Sequence, residues 1–236
     1  MRIALIGYGK MGKTIEQIAL TKGHEVVYKL DTHDSIEQID ASSVDIAIEF
    51  TQPDAAFRNL SHCLRHGIPV ISGTTGWLDK RQEIEDLCRE SDGTFLYASN
   101  FSIGVNLFFE LNEWLAAKMK KLSFSSSITE VHHTEKKDSP SGTAITLAEG
   151  IMRHDHAKKT WINEESTDHQ KISIVSERKP NVPGTHTVSY ASELESIDIK
   201  HVAHDRSVFA QGVVDVAEWI HTRKGIFTLS DYINDN

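Results

Sequence analysis

Between Glu130 and Ala144 the chain reads Glu-Val-His-His-Thr-Glu-Lys-Lys-Asp-Ser-Pro-Ser-Gly-Thr-Ala, gathering two imidazoles, two ammonium groups and a hydroxyl-glycine turn into one short stretch. Imidazole exchanges protons near neutral pH, and an ammonium can both donate a proton and hold an anion. The preceding Ser127-Ile128-Thr129-Glu130-Val131 has β-type composition, so His132 and His133 stand at a strand end, point to opposite faces and cannot play the same role. Pro140-Ser141-Gly142-Thr143, followed by Ala144, Leu147, Ala148 and Ile151, reads as a helix start whose free amides suit a carboxylate or phosphate, with Lys136 and Lys137 adding to the potential. Singly, each feature has an ordinary use as a satisfied core histidine or a helix entrance. Together they point to proton transfer beside a bound anion.

The elements that must position this stretch begin with an alternating first half. Arg2 to Ile6 reads as an apolar strand, followed by Gly7-Tyr8-Gly9-Lys10-Met11-Gly12, an amphipathic run through Ile15, Ile18 and Ala19, and a second strand from Glu25 to Leu30 that ends at Asp31. Strand, glycine turn, helix, strand and acid in this order suit a dinucleotide. Gly7 makes the tight turn, Gly9 admits the pyrophosphate, Gly12 lets helix and strand pack, and Asp31 accepts from the adenosine ribose. Further strands are expected at Val44–Glu49, Pro69–Ser72 and Thr94–Ala98, with helices at Pro53–His66 and Asp79–Glu90, giving a parallel sheet covered on both faces through right-handed crossovers. The loops Phe50-Thr51-Gln52, Gly73-Thr74-Thr75-Gly76 and Ser99-Asn100-Phe101-Ser102 follow strand ends and are expected to wall the nicotinamide half of the cofactor.

Beyond Ile103 the pattern changes to a long amphipathic helix, the histidine strand, the Ser141 helix and alternating strands at Lys171–Ser176, His186–Ala191 and Ile197–Val202. The expected architecture is α/β, with an N-terminal Rossmann-type domain over residues 1–102 and an α+β domain with an open mixed sheet over 103–212. A closing helix at Val213–Thr222 begins the segment 213–236, which is expected to return to the first domain. The 236 residues are 39% hydrophobic and 25% charged, which is the composition of a soluble globular chain. A net charge of -9 argues against a nucleic-acid partner, and no apolar run approaches membrane-spanning length. Cys63 and Cys88 make one possible pair at most and the chain starts on a strand instead of a signal peptide, so a reducing cytoplasm is expected. Of the 13 histidines, the set His154 and His156 beside Asp155 sits in a lysine-rich connection and reads as solvated loop, so no metal is expected.

Gly7 to Gly12, Ser72-Gly73-Thr74-Thr75-Gly76, Ala98-Ser99-Asn100-Phe101-Ser102-Ile103-Gly104, the His132 to Thr143 stretch and Val182-Pro183-Gly184-Thr185-His186 together resemble the 4-hydroxy-tetrahydrodipicolinate (dihydrodipicolinate) reductase family over nearly the whole chain. The resemblance implies reduction of a cyclic imine precursor bearing two carboxylates, by NADH or NADPH, in the diaminopimelate route to lysine. It implies His132 as acid/base residue, Lys136 as proton donor, and His133, Ser141, Gly142 and Thr143 as substrate contacts. Cofactor contacts map onto Gly7, Tyr8, Gly9, Lys10, Met11, Gly12, Asp31, Gly73, Thr74, Thr75, Ala98, Ser99, Asn100 and Phe101, and the assembly implied is a homotetramer. Thr32 stands where many members carry an arginine suited to a 2′-phosphate, so NADH is expected to be favoured. Ser99 replaces a usual proline, which alters loop stiffness. Two other readings fit the glycine loop: a different two-domain amino-acid dehydrogenase, and a dinucleotide sensor without catalysis. The first leaves the His132 cluster without a purpose, and the second needs no lysine at 136.

Overall fold

The computed structural model describes residues 1–235, in two units: residues 1–103 with the segment from Ser207 onward, and Gly104–Arg206. In the first unit β1 (Arg2–Ile6), β2 (Glu25–Leu30), β3 (Ile46–Glu49), β4 (Val70–Ser72), β5 (Thr94–Tyr97) and β11 (Gly225–Phe227) form one parallel sheet in the order β11-β5-β4-β3-β1-β2. Its inner strands are buried on both faces, which is why they read as continuous apolar runs. Ile3 and Leu5 face α1 (Lys10–Thr21) and α6 (Ser207–Ile220), packing with Ile15, Ala19, Val213 and Ala217. Ala4 and Ile6 face the opposite side, against Leu60 and Leu64 of α2 (Pro53–Arg65) and Ile84 of α3 (Arg81–Glu90).

The second unit has a five-stranded mixed sheet in the order β10-β9-β6-β8-β7, built from β6 (Ser125–His132), β7 (Thr160–Ile162), β8 (Lys171–Arg178), β9 (Gly184–Ala191) and β10 (Ser196–Ala203). One face carries Ile128, Ile172, Ile174, Val188 and Tyr190, packed against Phe108 and Leu115 of α4 (Ile103–Met119) and Leu147 and Ile151 of α5 (Gly142–His154).

Three elements escaped the sequence reading: β7, β11 and the terminal α7 (Leu229–Asp235). The two strands have three residues each, too short for a periodic signal. The helix expected from Val213 begins at Ser207, running through Gly212 instead of starting after it. Gly212 is required there by packing, since a Cβ would lie 1.9 Å from the carbonyl oxygen of Phe101. Cys63 and Cys88 are both buried free thiols, and burial pushes the Cys63 thiol up to about 12.

Candidate active site

Strand alternation and register assemble the second unit's polar cluster. Along β6 every second residue from Ser126 to His132 is buried, so Glu130 and His132 lie on the same face as the core residue Ile128. In the antiparallel pairing with β9, Val188 sits opposite Ile128 and His186 opposite Glu130, while the parallel pairing with β8 places Arg178 beside His132. The apolar layer therefore turns polar within two residues. This happens where α5 begins.

Glu130 has no exposed surface. Its carboxylate accepts from the Ser141 amide at 3.1 and 3.2 Å and from both terminal nitrogens of Arg178 at 3.3 Å. Nδ1 of His132 lies 3.3 Å from Oε2 of Glu130 in a contact short of good hydrogen-bond geometry, and Nε2 of His186 lies 3.7 Å from the same oxygen. Burial alone would raise the Glu130 pKa, but donors from His132, His186 and Ser141 hold it well below the usual carboxylate range. Burial lowers the His186 pKa, with Glu130 opposing that shift, so its imidazole stays neutral further into acid. Ligand atoms of Glu130, His132 and His186 all lie within 4.8 Å of one another, a spacing a cation could use. Arg178 already supplies positive charge to that carboxylate, which opposes a metal there.

The turn into α5 carries the unengaged backbone donors. Ser141 caps the helix, its hydroxyl accepting from the Ala144 amide at 3.2 Å and lying 3.1 Å from Nε2 of His186. Among the described residues no group accepts from the amides of Gly142 and Thr143, and space is open beside Gly142. These amides are the two unengaged donors of a helix N-terminus. In the loop before it Lys136 pairs with Asp138 at 2.7 Å and holds that carboxyl below its usual range. Arg178 reaches the same loop, donating to the Asp138 carbonyl at 2.7 Å. His133 leaves on the other side of the strand and accepts from Arg206; burial and the guanidinium keep its pKa low. Glu130, Arg178, His186 and Arg206 were not singled out from the sequence as site residues. Only the period-two spacing of Glu130 and His132 could have signalled the first of them.

The first unit supplies a separate cleft of about 470 Å³, lined by Gly7, Tyr8, Gly9, Asp31, Thr32, Asp34, Phe50, Thr51, Gln52 and Arg58 among others. The three glycines differ in the space around them. A Cβ at Gly7 would lie 1.9 Å from the Phe50 carbonyl oxygen, at φ 99, and one at Gly12 would lie 2.3 Å from the Gly7 carbonyl oxygen. At Gly9 nothing stands within 4 Å, and α1 starts there without a side-chain cap. That open, uncapped turn fits a pyrophosphate. Asp31 and Asp34 are linked through the Asp31 amide, which donates to Asp34 at 2.7 Å, so this end of the cleft carries two acids where the sequence reading named one.

Other expected cofactor residues are more committed. Met11 packs against the core, Ala98 and Phe101 are buried in it, and the Thr74 hydroxyl is spent on Glu49 at 2.8 Å. Asn100 accepts from the Ser102 amide at 2.9 Å, while Lys10, Thr75 and Ser99 are exposed. Gly73 is packed so closely that a Cβ would lie 2.1 Å from the Phe50 ring.

A Rossmann-type unit with an open glycine turn, joined in one chain to a unit bearing buried imidazoles beside a helix start with unengaged amides, defines a nicotinamide-dinucleotide-dependent oxidoreductase. Residues 1–101 match the family model for the N-terminus of dihydrodipicolinate reductase and residues 104–233 the model for its C-terminus, and the chain belongs to that family. It is 49% identical to 4-hydroxy-tetrahydrodipicolinate reductase of Christiangramia forsetii, covering 100% of this chain and 98% of that one. The corresponding protein of Thermosipho africanus is 34% identical, covering 100% and 99%. Among solved structures, a dipicolinate-bound dihydrodipicolinate reductase from Paenisporosarcina sp. TG-14 shares the fold with a TM-score of 0.77 at 24% identity, covering 97% of each chain. An aspartate dehydrogenase from Thermotoga maritima also superposes, at a TM-score of 0.52 and 11% identity, covering 92% of this chain and 95% of that one. The fold is therefore shared across reactions, and the site has to decide among them.

Proposed function

We propose that the chain reduces 4-hydroxy-tetrahydrodipicolinate to tetrahydrodipicolinate, the reaction for which its relatives are named, with residues 1–102 and the C-terminal segment binding the dinucleotide and the unit around β6 binding the substrate. The observation that carries the reading is the pair of unengaged amides at Gly142 and Thr143 in the same turn as Lys136 and the buried His132. A dicarboxylate has two anionic groups to place, and this turn offers amide and ammonium donors to one of them.

A bound nicotinamide dinucleotide supplies hydride. The 4-hydroxyl leaves with a proton as water, hydride adds to the conjugated imine that results, and the negative charge that develops on the ring is neutralised by a proton from the chain's own groups. Lys136 donates a proton, His132 exchanges one at its ring, and His133, kept neutral beside Arg206, contacts the substrate. Gly142, Thr143 and the Ser141 cap hold a carboxylate so that the ring cannot rotate away. In the first unit Gly7 to Gly12 cradle the pyrophosphate, and the strand-end loops Gly73–Thr75 and Ala98–Phe101 present backbone groups, since several of their side chains are buried.

NADH is the preferred reductant in this reading. Asp31 and Asp34 repel a 2′-phosphate, Thr32 offers no charge against them, and Arg58 of the same cleft is paired with Glu37 at 2.7 Å. A tetramer formed through the second sheet fits the exposed outer strand β10, which leaves Ile197 and Val202 each 40% exposed. Light scattering checks that mass directly. No helix among the described residues is long and apolar enough to cross a membrane.

The test of function is turnover with freshly generated cyclic substrate. Consumption of reduced dinucleotide only when that substrate is present supports the reading. Oxidation driven by an amino acid favours the amino-acid dehydrogenase, and dinucleotide binding without turnover favours a sensor. Pyridine-2,6-dicarboxylate should compete with substrate and weaken as salt rises. Competition against the cofactor instead would place the dicarboxylate in the wrong cleft.

A further inference from the structure

A buried carboxylate is costly unless paired, and Arg178 alone would balance the charge of Glu130. Two histidines nevertheless close on it, one of them the residue assigned to proton transfer. We propose that Glu130 is a positioning residue for the reaction: it holds the His132 proton on Nδ1, leaving Nε2 as the proton-exchanging atom, and with the same carboxylate fixes the Ser141 amide where the anion-binding turn begins. This rests on the assignment of His132 to proton transfer made above.

Three features of the geometry carry the inference. Nδ1 of His132 is buried, and its near neighbour at 3.3 Å is an oxygen of an ionised carboxylate, which can only accept. A proton on Nδ1 is therefore the favoured tautomer, and the basic lone pair falls on Nε2. The ring is backed by bare glycine, since a Cβ at Gly184 would lie 3.1 Å from Nε2 and 3.4 Å from Cδ2, so any side chain at residue 184 would shift it. Finally, Ser141 donates its amide to Glu130 and heads α5, so one carboxylate sets both the imidazole and the first turn of the anion cradle.

Charged and titratable groups face His132 from each packed element. Glu130 stands on its own strand, His186 on β9 and Arg178 at the end of β8, while the following loop contributes His133 and Lys136, the latter tied to Asp138.

The experiment records imidazole nitrogen-15 chemical shifts of the wild type together with kcat and kcat/KM against pH for Glu130→Gln. In the wild type, neutral His132 should carry its proton on Nδ1. In Glu130→Gln the side-chain amide donates to Nδ1 and drives the proton to Nε2, the same inversion that cripples serine hydrolases when their buried aspartate becomes asparagine. Turnover should fall about a hundredfold. Substrate KM should move far less, because the glutamine oxygen still accepts from Ser141. Glu130→Asp, which keeps the charge, should retain the Nδ1–H tautomer and recover part of kcat.

A purely structural Glu130 would lower the melting temperature and leave the tautomer and the kcat of folded protein in place, which overturns the proposal. So would a wild-type His132 protonated on Nε2, a measurement that stands even if Glu130→Gln does not fold. Unchanged turnover in His132→Ala would instead remove the proton-transfer assignment while leaving the tautomer readable, so the two failures are distinguishable.

Discussion

Glu49 and Glu130 are both carboxylates with no exposed surface near the carboxyl end of a strand, one in each unit, and they are satisfied in opposite ways. Among the described residues Glu49 accepts only from neutral donors: the Thr51 amide at 3.1 Å, the hydroxyls of Ser72 and Thr74 at 2.7 and 2.8 Å, and the Thr51 hydroxyl. Glu130 is met by a guanidinium, a backbone amide and two imidazoles. Neutral donors cannot change charge with pH, so Glu49 works as a fixed strut that ties the loop after β3 to the loop after β4. Imidazoles can, which is why Glu130, and not Glu49, is proposed to take part in the proton chemistry. A buried carboxylate is thus read from the kind of donor around it.

The comparison breaks most visibly in stability. Glu130→Ala strands a partly buried guanidinium, and loss of one partner of a buried pair costs about 3–5 kcal/mol. Glu49→Ala leaves hydroxyls that can rotate to other acceptors, so its cost should be nearer the roughly 1–3 kcal/mol of an unsatisfied donor. Denaturant unfolding of the two variants checks the order, and a larger loss at Glu49 would contradict it.

Function should separate them next. Glu49→Gln should raise the cofactor KM roughly tenfold, about 1.4 kcal/mol, by loosening Thr51 and Thr74 while leaving the shape of the pH profile unchanged. A shifted pH limb in that variant would show that Glu49 is coupled to the chemistry after all.

Stability against pH sharpens the same contrast. The folded Glu130 carboxyl is depressed, so its stabilisation is present above the ordinary carboxylate value and is lost as pH falls below it. The folded His186 imidazole is also depressed, so the unfolded chain binds the extra proton and stability is lost as pH falls below about 6.5. The melting temperature should therefore decline from neutral pH downward in two stages. His186→Asn should flatten the upper stage in part, since His62 and His201 are lowered by burial in the same direction.

The smallest expected effect is in cofactor choice. The ratio of kcat/KM for NADH to that for NADPH should exceed one in the wild type and move towards NADPH, by roughly tenfold or less, in Thr32→Arg. A wild type that prefers NADPH and loses the preference in Lys10→Ala would show that the exposed lysine of the glycine turn outweighs Asp31 and Asp34.

Much of this was legible in the chain. The parallel sheet followed from apolar strands buried on both faces, and the close packing at Gly7 and Gly12 from their place in a strand, turn and helix. The turn from His132 to Thr143 is likewise one continuous segment. What stayed hidden depends on register between distant strands: His186 meets Glu130 only because β9 pairs with β6, and Arg178 arrives along β8. The Gly212 misreading has the same origin, since the Phe101 carbonyl that demands a glycine lies far away in sequence.

In the proposed function, proton chemistry resides in the β6–α5 turn while dinucleotide binding resides in the other unit. The direct measurement is turnover of freshly generated cyclic substrate by His132→Ala and Lys136→Ala, with reduced-dinucleotide affinity measured on the same folded samples. Each variant should lose about a hundredfold or more in kcat while binding the dinucleotide as the wild type does. Wild-type turnover in either variant, or a loss explained by weakened dinucleotide binding, would contradict the claim.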